Sequence, residues 1–265
     1  TNEDAGLWQY QVGEAFFAAQ RFEEALPAYI AVPDNYPTHA SAAEALYSAA
    51  ACYNNVGRPD EVFGVYERLA SNYPESEYAA DAFISVGDAR YNETIELAED
   101  DPVRIVKLKE ALALYKSVLE LESASEQSKH TVLTYIEETE EALAALEYGT
   151  IETAFNAALS AIGGADVTPA QTQAVLDALA DFNTLTETYP GSESMQVALV
   201  QMGDGYVQLE RWQDAINTFG RLTAFYTDAS GIRVTPPNPN LDRALRRAET
   251  QIVAITQYMR QMAGE

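Results

Sequence analysis

The sequence predicts an all-α solenoid of antiparallel helix pairs, and three observations carry that prediction. Gly13, Ala50 and Gly87 are spaced 37 residues apart, as are Ala25 and Val62, Tyr29 and Tyr66, and Pro37 and Pro74, a period expected of a helical repeat. A small residue follows each Tyr-Pro pair by 13 positions, in Pro37 to Ala50, Pro74 to Gly87 and Pro190 to Gly203. Gly (14) and Pro (11) are sparse among 265 residues, and the Ala-, Leu- and Glu-rich stretches favour helix over disorder.

In the first unit Gly13 and Ala25 are the small pair that lets two helix backbones approach. Val12, Phe16, Tyr29 and Val32 recur around them at spacings of three and four and are expected to pack there. Tyr36-Pro37 stops the second helix, because the residue before proline is pushed out of the α region, and Pro37-Thr38 is expected to open the next one. The second unit repeats the plan with Ala50, Val62, Tyr66 and Tyr73-Pro74. Cys52, the single cysteine, excludes an internal disulfide and sits in an Ala-rich run where a core thiol is expected.

The middle departs from the period. Ala111 follows Gly87 by 24 residues rather than 12, so the third pair is lengthened around Asp100-Asp101-Pro102. A helix over about 125–148 and a second reaching about 162 are expected next, stopped by Gly163-Gly164, with a bend or change of pitch in the array. The pattern resumes in Ala178, Phe182, Leu185 and Pro190, then in Leu199, Gly203, Tyr206, Ala215, Phe219 and Leu222. The segment 227–240, with Pro236, Pro237 and Pro239, reads as a surface loop before a capping helix over about 241–263. The organisation expected is therefore N-terminal repeats in 1–122, an irregular helical segment in 123–167, and C-terminal repeats with the cap in 168–265.

These residues resemble the tetratricopeptide repeat: Val12-Gly13, Phe16, Ala25, Tyr29, Val32 and Pro37 in unit one, and Leu46, Ala50, Tyr53, Val62, Tyr66, Leu69 and Pro74 in unit two. The resemblance implies a right-handed superhelix of about five repeats, and a protein-binding role. The phrase Tyr-Pro-x-Ser, at 73–76 and 189–192, is similar to bacterial envelope members of that family, the outer-membrane assembly lipoproteins and the Tol-Pal coordinator. That narrower resemblance implies the periplasm or cell envelope of a bacterium. The opening Thr1-Asn2-Glu3-Asp4 is compatible with an earlier leader or lipid-anchored segment having been removed.

In such arrays the first helices line a groove. The resemblance places Leu7, Tyr10, Glu14 and Phe17 there from unit one, Glu44, Tyr47, Ala51, Asn54 and Asn55 from unit two, and Asp81, Ile84, Asp88, Tyr91 and Asn92 from unit three. The set singled out for partner binding is Tyr10, Glu14, Phe17, Tyr47, Asn54, Asn55, Asp81, Asp88 and Tyr91. It is aromatic and acidic with no base, which suits a basic or mixed apolar segment and not the carboxylate-ended peptides that other family members clamp with Lys and Arg. The alternative is that the aromatics pack between helices and the acids are solvated.

With 41 acids against 16 bases the net charge is -25, which argues against nucleic acid as partner. Residues 1–150 hold 28 acids and 9 bases, whereas 231–265 hold 3 and 5. Only 4 of the 16 bases are Lys, so adaptation to a salt-rich cytoplasm is a second explanation of the acidity. No apolar window is long enough to span a membrane. No phosphate loop, nucleophile elbow or His-Glu-x-x-His motif occurs, and His39 and His130 lack ligand-spaced companions, so no catalytic residue, metal or cofactor is expected. The function expected is a non-catalytic scaffold of an envelope assembly, with a self-assembling homo-oligomer as the alternative.

Overall fold

The computed structural model describes residues 2–98, 101–162, 167–236 and 238–264. Among these residues the chain forms eleven helices: α1 (Asn2–Ala18), α2 (Phe22–Asn35), α3 (Ala42–Asn55), α4 (Pro59–Asn72), α5 (Ala79–Glu93), α6 (Pro102–Glu120), α7 (Glu126–Ile162), α8 (Pro169–Thr188), α9 (Glu193–Gln208), α10 (Trp212–Phe225) and α11 (Pro239–Ala263). The fold is all-α, as the repeat spacing predicts. Two compact units divide it, residues 1–139 and 140–265, so the dividing point falls within α7.

One turn geometry is repeated between the two helices of three pairs. Gln20, Gly57 and Glu210 take the left-handed conformation, with φ of 58°, 73° and 56°. The next residue in each case donates its N–H to a carbonyl five residues back: Arg21 to Phe16, Arg58 to Tyr53 and Arg211 to Tyr206, each at 2.9 Å. That pairing satisfies carbonyls left over at a helix C-terminus. The same arginines lie over the aromatic they bond, 4.8, 5.1 and 5.2 Å from the ring centroids, and ion-pair with the acid three residues on, Glu24, Glu61 and Asp214.

The turns that lead from one pair to the next also repeat. Tyr36, Tyr73 and Tyr189 cap α2, α4 and α8, donating N–H to Val32, Leu69 and Leu185 at 2.8, 2.8 and 3.0 Å before the following proline ends the helix. After Pro37, residues 37–41 form turns and α3 begins at Ala42, so the proline closes one helix without opening the next. Later helices carry their own starts: Asp101 caps α6 through Val103 N–H, Thr168 and Gln171 form a capping box on α8, and Ser192 accepts from Met195 N–H on α9.

The core of the first unit is built where small residues of one helix meet large ones of the next. Ala25, Tyr29, Val32, Leu46, Ala50 and Leu69 are fully buried in one cluster with Ala111 and Tyr115. Val12, expected there, is 46% exposed on α1, which packs on α2 and presents its other face to solvent. In the second unit Phe155, Phe182, Phe219, Leu179, Leu222 and Leu245 are the large buried side chains. α11 lies on α10 and α9 as a cap, burying Leu241, Leu245, Ala248 and Ile255.

Residues 126–162 form one helix rather than the two expected. Gly149 is tolerated within it because Ala144 and Phe155, eleven residues apart and therefore on one face, are both fully buried, and that packing outweighs the roughly 1 kcal/mol a helical glycine costs. The stop expected at Gly163-Gly164, Asp100 of the expected break, and Pro237 of the expected loop lie outside the described residues. The rest of that loop carries a single bridge, between Thr227 and Arg233.

Candidate functional site

Three of the helix pairs bring an aromatic of the second helix onto a glycine of the first. The ring of Tyr29 lies against Gly13, that of Tyr115 against Gly87 and that of Phe219 against Gly203. In all three cases the glycine is followed by an acid, Glu14, Asp88 and Asp204, carried to the edge of the aromatic ring by one residue of helix. Tyr29 donates its hydroxyl to Glu14, and Tyr115 donates to Asp88 Oδ1 at 2.8 Å. Phe219 has no hydroxyl, and Asp204 is met instead by Arg247 of α11, Nη2 to Oδ2 2.8 Å.

The electrostatics follow burial. Tyr29 and Tyr115 are held protonated well above the usual phenol range, first by burial and then by the carboxylates they bond. Burial raises the Asp88 carboxyl, partly opposed by the Tyr115 hydrogen bond; burial also raises Asp204, opposed by Arg247. Glu14 and Asp88 thus have partners within their own unit, which sequence reasoning did not foresee.

A second relationship crosses from one pair to the next. Tyr47 on α3 donates its hydroxyl to Asp81 Oδ2 on α5 at 3.3 Å, and Tyr10 on α1 lies close enough to Glu44 on α3 for that carboxylate to raise its phenol. The two rungs stand 37 residues apart in both members. Burial and the facing carboxylates raise both phenols. Tyr78 widens the row, its ring 4.9 Å from Tyr47, and burial with the Glu44 charge pushes it up to about 12. Sequence reasoning passed over Tyr78, although it stands three residues before Asp81.

Of the other residues singled out, Phe17 is half-buried against Phe22 and Tyr29, with centroids 5.2 and 6.4 Å away, and serves the core. Asn54 and Asn55 are exposed, and Asn55 donates its amide to Ala51 O of its own helix at 2.8 Å. Tyr91 lines a cavity with Asp88. Cys52 is fully buried and its thiol is pushed up to about 11, chiefly by burial. Among the described residues no helix is long and apolar enough to cross a membrane.

A tetratricopeptide repeat family matches residues 44–76, which take in most of α3, all of α4 and the turn after it. No curated protein matches the chain. Solved structures similar to it include the TPR domain of P58(IPK), 12% identical with a TM-score of 0.37, covering 94% of this chain and 65% of that one. Others are pilF of Pseudomonas aeruginosa, 13% identical, TM-score 0.30, 99% of this chain and 94% of that one, and Acl4, the assembly chaperone of RpL4, 12% identical, TM-score 0.29, 97% and 90%. This chain spans just under two thirds of the P58(IPK) domain.

Proposed function

We propose that the protein is a non-catalytic scaffold whose first unit holds a basic or mixed apolar segment of a partner protein along the face shared by α1, α3 and α5. The observation that carries this reading is the Tyr47–Asp81 rung between α3 and α5, preceded by the Tyr10 and Glu44 pair 37 residues earlier on α1 and α3. Each rung offers an aromatic surface beside a carboxylate, and among the described residues neither Glu44 nor Asp81 forms an ion pair. A segment carrying Lys or Arg among apolar residues would find a carboxylate beside a ring at each rung. The test is copurification of the partner with native chain, followed by Glu44→Lys with Asp81→Lys. Binding should fall by about tenfold or more, while Glu122→Lys with Glu126→Lys, elsewhere on the unit, should leave it within about twofold. Retention of the partner by the first pair overturns the reading.

For location, the Tyr-Pro-x-Ser phrases support the bacterial envelope, and the Lys-poor acidic surface supports a salt-rich cytoplasm as the alternative. End-to-end self-association is a second reading of function. Trp8 is 66% exposed on acid-rich α1, and Val253 and Met262 are 56% and 73% exposed on α11, the helix of Arg243, Arg246 and Arg260. Light scattering across a salt series would show oligomers that dissociate as charges are screened, and a monomer at all salts removes this reading.

A further inference from the structure

Between α5, α6 and the start of α7 lies a cavity of about 230 Å³, walled by Asp88, Tyr91, Tyr115, Tyr135 and Glu138. It is too small for a drug-sized ligand and large enough for the end of one side chain. Tyr115 and Tyr135 stand 5.4 Å apart at 55°, and Tyr91 adds a third ring, so π-faces and carboxylates converge on one space. Among the described residues Asp88 has one partner there, the Tyr115 hydroxyl, and no basic group bears on its titration. A half-buried carboxylate left without a counter-charge is an unfavourable arrangement unless something else supplies one.

The protein itself contains the satisfied version. At Asp204, in the same place beside a glycine and under an aromatic ring, an arginine from the next first-helix of the array, α11, brings its guanidinium to 2.8 Å. The helix that follows α5 and α6 in the same order is α7, and it presents Tyr135 and Glu138, three residues apart on one face, where α11 presents Arg247. In place of an internal cation there is a space and a second carboxylate.

We infer that this cavity seats one guanidinium or ammonium group from a ligand, paired with Asp88 and Glu138 and stacked against Tyr115 and Tyr135. A planar guanidinium fits best, because it can bond a carboxylate edge-on while lying over a ring. The source of the cation rests on the partner-binding reading above, in which it is an arginine of the held segment; the chemistry of the cavity would be the same for a free small cation.

The full chain is titrated with Nα-acetyl-arginine amide, with its neutral isostere Nα-acetyl-citrulline amide, and with a nine-residue peptide carrying one central arginine, followed by tyrosine fluorescence and calorimetry. Saturable binding of an arginine probe, weakened about fivefold or more by Asp88→Asn and by Glu138→Gln and absent with citrulline, is the expected result. The amide oxygen introduced by Asp88→Asn can still accept from Tyr115, and thermal melts of both variants establish that they fold. Arginine amide binding as tightly as the peptide identifies a small-cation site, and much tighter peptide binding identifies a segment anchor; either supports the inference. No saturable response, equal binding of citrulline, or arginine binding unchanged in both variants overturns it. Arginine binding that persists when Glu44→Lys with Asp81→Lys has left partner capture intact overturns the segment-binding reading alone.

Discussion

Tyr29 and Gly13 are in such close contact that a Cβ placed on residue 13 would lie 2.6 Å from the ring Cδ1, and Phe219 crowds Gly203 in the same way through its Cε1 edge. The helix pairs therefore approach as closely as an aromatic ring on bare backbone allows, and where the ring is a tyrosine its hydroxyl meets the neighbouring acid.

Replacing glycine should accordingly have opposite effects at two places in one pair. Gly203→Ala must push aside a fully buried ring and should lose about 1–3 kcal/mol. Gly220→Ala, in α10 with nothing within 4 Å of its Cβ, should gain about 0.5–1 kcal/mol from helix propensity. Urea unfolding of the two variants measures both, and equal losses would contradict the packing described.

The repeated turn makes a second prediction. Gln20 and Glu210 hold positive φ where the equivalent residue of the second pair is Gly57. Gln20→Gly and Glu210→Gly should each stabilise by about 0.5–1 kcal/mol, since side chains are strained in that region, and Gly57→Ala should destabilise by a similar amount. Thermal melts would register each as a shift of roughly 2–4 °C per kcal/mol.

Asp88 makes stability depend on pH in a definite sense. Its folded pKa is raised by burial above the ordinary 3.8, so its favourable contribution is present below that value and is lost as pH rises through the folded pKa. At neutral pH the buried charge is a cost. Asp88→Asn should melt above the parent at pH 7, and the difference should shrink as the pH is lowered past the carboxyl range.

The thiol of Cys52 should report opening of the first unit. It is fully buried and pushed up to about 11, so at pH 8 alkylation should run at least ~100-fold slower than in urea-unfolded chain. Reaction at the rate of a free thiol would show that α3 is not packed as described.

Much of this was legible in the sequence because it rests on spacing. The small residues Gly13, Ala50, Gly87 and Gly203 and the terminators Tyr36, Tyr73 and Tyr189 were readable, since close helix approach and helix ending each demand particular residue types. The continuity of α7 was not, because local propensity at Gly149 argues for a break and only the burial of Ala144 and Phe155 decides against it. Of the candidate site, Tyr47 and Asp81 meet across α3 and α5. Glu14 and Asp88 were readable as positions but not as partners, although the recurrent Gly-acid pair was there to be noticed.

By itself, then, the sequence determined the helix pairs outside the α7 region, their 37-residue register in the first units and the excess of acid, because periodicity and composition are properties of the chain alone. Which acid is answered by a tyrosine, which by an arginine, and which is left facing a cavity was decided by tertiary structure. Tyr115 reaches Asp88 from 27 residues away, and Arg247 reaches Asp204 from a helix beyond the next. Such encounters depend on how second helices cross first ones, and no spacing within a single helix encodes that crossing.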